Sequence, residues 1–218
     1  MATILCLETA TTNCSIALSV NGSVIVLQED NDKQYSHAER LHVYIDEVLQ
    51  KANINKNDLD AIAVSKGPGS YTGLRIGASA AKGLCYALDI PLISVPTLNV
   101  LAEQVEDEAI IIPLLDARRM EVYSAVFSSE KKQLRETRAE ILSTESFSSF
   151  LAQGKTIFIG NGVAKFQAIC AHENAEFRTN ITPSSNNMAQ IAFKKYQNDA
   201  FEDVAYFEPY YLKDFIAG

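Results

Sequence analysis

The sequence predicts an α/β protein built by duplication, each half a mixed sheet flanked by helices. Three observations lead there. Short apolar runs alternate with stretches of helical periodicity. The order of three hairpin-joined strands, then helix, strand, helix, strand, occurs once in each half. The chain, with 218 residues and 47% hydrophobic residues, is long enough to bury a sizeable core.

In the first half, residues 3–8 form an apolar strand that ends in the small hydroxyl-rich run Thr9-Ala10-Thr11-Thr12-Asn13. Residues 14–20 and 23–28 are rich in Val, Ile and Leu and flank Asn21-Gly22. That dipeptide suits a type I′ hairpin turn, whose two central positions need positive φ. A helix follows: Ser36-His37-Ala38-Glu39 fits a capping box, and Leu41, Tyr44, Ile45, Val48, Leu49 and Ala52 recur every three or four residues behind it. Residues 59–65 read as a strand, 67–70 as a loop, 72–88 as a helix, and 92–95 as a strand stopped by Pro96.

The second half repeats the order. Strands fall at 109–115, 121–127 and 133–142, a helix at 144–152, a strand at 156–159, a loop at Gly160-Asn161-Gly162, and a helix at 163–171. A strand near Phe177 and a helix from about 187 to 197 complete the set. Mixed sheets with helices on their faces follow from this order. Two such halves, divided at 1–108 and 109–218, give the architecture shared by actin, hexokinase and the heat-shock chaperone ATPases.

Charge narrows the function. Lys plus Arg number 19 against 27 for Asp plus Glu, a net charge of −8. The excess sits in residues 1–109, with 7 basic and 14 acidic side chains. Phosphate backbones are bound through basic groups, so strong intrinsic affinity for nucleic acid is not expected. The first residues lack a basic segment and soon meet Glu8, no apolar run approaches membrane-helix length, and the four cysteines form no paired spacing. These features predict a reduced, cytoplasmic protein with no membrane contact.

The informative segment is Gly67-Pro68-Gly69-Ser70-Tyr71-Thr72-Gly73-Leu74-Arg75-Ile76-Gly77, which follows a strand and opens a helix. A phosphate loop is excluded by spacing. A P-loop needs Gly-Lys-Ser/Thr and no Lys lies at that place in this run, Thr72 stands where the third glycine of a dinucleotide loop belongs, and Pro68 lacks an N–H. Packing accounts for the glycines better. Gly73, Gly77, Ala80 and Ala81 share one helical face, continued by Leu84. Each helix-interior glycine costs on the order of 1 kcal/mol relative to alanine, so a close approach should offset it. Both the chain's own core and a helix of another chain fit that requirement.

The same run, with Ala81-Lys82-Gly83-Leu84 after it, resembles the signature of the TsaB (YeaZ) family of tRNA threonylcarbamoyladenosine biosynthesis proteins. The match extends to 4–11, to Ser36-His37-Ala38-Glu39-Arg40-Leu41, to 60–64 and to 116–123, and is looser beyond 127. The resemblance implies an actin-like fold and a subunit without a catalytic centre or cofactor. Its expected partner is the paralogue TsaD, which transfers threonylcarbamoyl to the adenosine beside the anticodon. TsaE would join them, tRNA would be met only through the complex, and the isolated chain would form a homodimer through the same face. Carried over, that face is drawn from Leu41, Tyr44, Ile45, Val48, Gly73, Gly77, Ala80, Ala81 and Leu84. On this reading, Gly77→Leu should abolish pairing and leave the fold largely intact.

The same residues bear on enzymatic alternatives. His37 and His42 are five apart, some 140° around a helix, and do not share a metal easily; His172 is the third histidine. No His-Glu-x-x-His occurs, which argues against a metallopeptidase. An actin-fold ATPase or small-molecule kinase would use Glu8 at the end of the first strand, Thr9 and Thr11 beyond it, Asp116 at the matching turn, and Gly160 and Gly162 near an adenine. Neither carboxylate turn carries the glycines that let backbone approach a phosphate, so hydrogen-bonded structural carboxylates are expected.

Overall fold

The structure is a computed structural model and describes residues 1–31 and 37–213. Ser36, the expected helix cap, lies outside the described residues. The first sheet contains β1 (Thr3–Glu8), β2 (Cys14–Val20), β3 (Ser23–Asp30), β4 (Ala61–Gly67) and β5 (Leu92–Pro96) in the order β3-β2-β1-β4-β5. Helices α1 (His37–Ala52) and α2 (Tyr71–Leu88) pack on one face. After α3 (Thr97–Ala102), the second sheet contains β6 (Ile110–Asp116), β7 (Glu121–Phe127), β8 (Gln133–Ile141), β9 (Thr156–Gly160) and β10 (Ala175–Thr179). Its order, β10-β9-β6-β7-β8, repeats that of the first. Helices α4 (Ser148–Leu151), α5 (Val163–Gln167) and α6 (Ser185–Gln197) complete the chain. This is the duplicated actin-like fold.

Local chemistry explains the register. Asn21 and Gly22 take φ of 50° and 81°, so the hairpin turns where Asn-Gly places it and Val20 faces Ser23. β1 runs antiparallel to β2 and parallel to β4, and all six of its residues are buried because both sheet faces are covered. Edge strand β3 instead alternates exposed and half-buried positions. Ser70 caps α2 by accepting the Gly73 N–H at 3.3 Å. Leu5, Leu7, Ile16 and Leu18 meet Leu41, Ile45, Val48 and Ala81 in the first core.

Packing divides the chain differently from the sequence boundary at 108/109. One unit holds Met1–Thr97 and Pro183–Tyr211; the other holds Leu98–Thr182 and the residues from Leu212. The correction has a physical cause. α6 buries Met188, Ala189 and Ala192, and its start bonds to the first sheet: the Ser185 N–H donates to Ser15 Oγ at 3.0 Å. The Asn13 side chain likewise donates to the Pro183 carbonyl at 3.0 Å. In the second unit, Leu98, Leu101 and Ala102 cover one face of its sheet with Ile111, Ile157 and Ile159. Its other face carries Phe147, Phe158 and Phe166, whose rings meet with centroids 4.8 to 5.4 Å apart.

Three helices differ from expectation. The strand expected at 92–95 does stop at Pro96, and the short helix α3, which the sequence pattern does not predict, forms directly after it. The helix expected at 144–152 shrinks to Ser148–Leu151, because Phe147 takes a left-handed φ of 63°. The one expected at 163–171 ends at Gln167. Among the described residues no helix is long and apolar enough to cross a membrane.

Candidate functional site

The turn after β1 is the place an actin-like ATPase would give to phosphate, and here it is filled by its own side chains. Glu8 and Thr9 are 0% exposed, and Ala10, Thr11 and Asn13 are buried. Glu8 Oε1 accepts the Ala10 N–H at 2.7 Å and the Ser65 hydroxyl at 2.9 Å. Glu8 Oε2 has no hydrogen-bond partner among the described residues. Burial pushes the Glu8 carboxyl up to about 7, against the opposing pull of the Ala10 N–H, the Ser65 hydroxyl and the Thr9 N–H. A carboxyl so placed closes the turn, held by the Ala10 N–H and the Ser65 hydroxyl.

Two helices clamp the same turn. The Thr9 hydroxyl donates to the Gly73 carbonyl at 2.8 Å, and His37 Nε2 donates to the Thr11 carbonyl at 2.7 Å. Burial lowers the pKa of His37, opposed by the Thr11 carbonyl. The Ser70 N–H donates to the Ala10 carbonyl at 2.7 Å. The glycines of the long loop now have their reason. A Cβ on Gly69 would overlap Ala10, one on Gly73 the Thr9 carbonyl oxygen, and one on Gly77 the Thr9 hydroxyl oxygen. The Gly-rich loop cradles the turn after β1, not a phosphate.

The second unit repeats the device. A Cβ on Gly160 (φ 129°) would strike the Leu114 carbonyl oxygen, and one on Gly162 would lie 3.0 Å from the Asp116 nitrogen. The Asp116 N–H donates to Asn161 Oδ1 at 2.9 Å. Asp116 Oδ1 accepts the Arg118 N–H at 2.6 Å and the Lys165 ammonium at 2.8 Å. Each of Glu8 and Asp116 is thus engaged within its own unit. His42 is exposed, and no group of three or more His, Cys, Asp or Glu among the described residues is placed to hold a metal ion.

The expected partner face needs correction. Leu41, Ile45, Val48, Gly73, Gly77, Ala80 and Ala81 are buried within this chain, and Tyr44 and Leu84 are half-buried against the same core. The periodic stripe is the core stripe, so Gly77→Leu would drive a side chain into Thr9 rather than into a partner. What the two helices present outward is different: Val43 (51% exposed) on α1, and Arg75, Ser79, Gly83 and Tyr86 (86% exposed) on α2. Gly83 lies about 120° around the helix from Gly77, and a Cβ there meets nothing within 4 Å. Among the described residues nothing lies within 4 Å of a Cβ on this helix-interior glycine, and sequence pattern alone does not single it out. Only its exposure tells it apart from Gly77.

Comparison with known proteins accords with this geometry. Residues 31–217 match the family model of TsaD, tRNA N6-adenosine threonylcarbamoyltransferase. The tRNA threonylcarbamoyladenosine biosynthesis protein TsaB of Haemophilus influenzae is 30% identical over 97% of this chain and 94% of its own length. The chain belongs to the TsaB family. The TsaB protein of Escherichia coli is 28% identical over 98% of this chain and 96% of its own. YeaZ from Pseudomonas aeruginosa, a solved structure, superposes with a TM-score of 0.81 at 25% identity, covering 97% of this chain and all of that one. For this TsaB family member, the Gly-rich signature therefore has two parts. Gly69, Gly73 and Gly77 build the fold, and Gly83 remains on the surface.

Proposed function

We propose that this chain acts as a non-catalytic scaffold in tRNA threonylcarbamoyladenosine formation, docking a TsaD paralogue and stabilising its active shape. The observation that carries the reading is the outward ridge of α2, where Ser79 and Gly83 leave a low surface beside Tyr86. Small side chains let a second helix approach closely, and exposed tyrosine supplies contact area at low entropic cost. The engagement of Glu8 and Asp116 within their own turns supports a role other than phosphate chemistry. On this reading TsaE joins the pair in the cytoplasm, tRNA is contacted only through the complex, and the isolated chain pairs with itself through the same ridge.

Co-purification tests it. The tagged chain should retain a TsaD paralogue from the same genome, and Gly83→Arg should release it while the melting temperature stays near wild type. Micromolar, magnesium-dependent ATP binding by the isolated chain, with no TsaD retained, would replace the scaffold by an actin-fold ATPase or small-molecule kinase.

A further inference from the structure

We infer that the C-terminal tail, residues 202–211, forms a third wall of the α1–α2 docking face, and that this wall favours a partner with a basic helical surface over a second copy of this chain. The inference rests on the docking role proposed above and adds a surface the two helices do not contain.

The tail is tied along its length. The Glu202 N–H donates to the Leu92 carbonyl at 2.8 Å, beside the β5 edge. Phe207 is buried in the first core. The Lys82 ammonium donates to the carbonyls of Ala205 at 3.1 Å and Phe207 at 3.0 Å. Further on, the Tyr210 N–H donates to the Lys66 carbonyl at 2.6 Å. The Tyr211 ring lies 5.0 Å from that of Tyr71, and its hydroxyl accepts from Arg75 Nε at 3.3 Å. From Lys82 back to Tyr71, the tail therefore runs antiparallel along one flank of α2. α1 packs with α2 in the same core.

The consequence falls on Tyr206. It stands between the two carbonyls that hold Lys82, and the strap turns it outward, 84% exposed. Tyr86, one helical turn from Lys82, is 86% exposed. These are the two most exposed aromatic side chains among the described residues. The backbone on either side of Tyr206 is already tethered, so docking on it forfeits little backbone entropy.

Charge says what docks. Asp203 and Glu208 are exposed on either side of Tyr206. Of the neighbouring cations, Lys82 is held by the two carbonyls and Arg75 by Tyr211, with its guanidinium 4.1 Å over the Tyr71 ring, while Lys66 shares a cavity with Glu202, Asp203 and Glu208 and is outnumbered by them. Carboxylates and tyrosine faces both attract Lys and Arg. A second copy brings the same acidic tail and an acid-rich first half, and like charges discriminate against it.

Binding of the full chain to the TsaD paralogue, by calorimetry at low and high salt, tests the inference. Tyr206→Ala should weaken binding about tenfold, in the range of an interfacial tyrosine, with an unchanged melting temperature. Wild-type affinity should fall as salt rises. If Tyr206→Ala binds as wild type while Tyr86→Ala is weakened, the helices dock without the tail and the inference is overturned, with the docking role intact. If both variants bind as wild type, the docking role falls as well. Should sedimentation show that Tyr206→Ala lowers only self-association, the occupant is a second copy and the proposed selectivity is wrong.

Discussion

Replacing Glu8 by glutamine tests whether the turn after β1 holds a buried, protonated carboxyl. In the folded chain burial pushes the Glu8 carboxyl up to about 7, from 4.5 ordinarily. Between those values the native chain keeps a proton that the unfolded chain has released, so stability falls as pH rises through that window. The span corresponds to about 3 kcal/mol, at about 1.4 kcal/mol per unit. That is a large part of the roughly 5–15 kcal/mol that holds a protein folded. Glutamine keeps an acceptor for the Ala10 N–H and the Ser65 hydroxyl. It also places an amide where Oε2 has no partner among the described residues, a pH-independent cost of about 1–3 kcal/mol. Urea unfolding from pH 5 to 8 should therefore show the variant less stable at pH 5 and level with, or above, wild type at pH 8. Any contribution of His37 is common to both chains and cancels in the difference. A difference that stays constant with pH would refute the reasoning, because Glu8 would then ionise as an exposed carboxylate does.

The glycines separate fold from surface. Gly83→Ala should stabilise the chain by up to about 1 kcal/mol, raising the melting temperature by roughly 2–4 °C, since its Cβ enters open space. Gly77→Ala should instead destabilise by about 1–3 kcal/mol through overlap with the Thr9 hydroxyl, and Thr9→Ala in the same chain should recover about 1 kcal/mol or more of that loss in a double-mutant cycle. His37 has the opposite pH sign to Glu8. Its folded pKa lies below 6.5, so its contribution is present above that value and fades as pH falls beneath it. His37→Gln should flatten the acid side of a stability profile measured by thermal melts from pH 5 to 7.

Legibility in the sequence follows the range of the interactions. β1, β2, the Asn21-Gly22 hairpin and the repeated strand order rest on local chemistry, and the structure reproduces them. α3 and α4 are short, six and four residues, and set by tertiary contacts, so periodicity missed the first and overextended the second. α6 was seen as a helix but placed in the wrong half. Nothing local tells it that Ser15 and the first sheet, far back in the chain, will receive it. The aromatic run Tyr206-Phe207-Glu208-Pro209-Tyr210-Tyr211 is written in the composition, and the role of Lys82 in holding it is not.

The sequence by itself determined the duplicated α/β order, the absence of a phosphate-loop spacing and the family resemblance, because each is written in residue types at fixed separations. Tertiary structure alone decided what the small-residue face of α2 touches. Gly73 and Gly77 meet Thr9, more than sixty residues earlier, whereas a Cβ on Gly83 would meet nothing within 4 Å among the described residues. Helical periodicity fixes the direction in which a side chain points, but the object lying in that direction is supplied by a distant part of the chain.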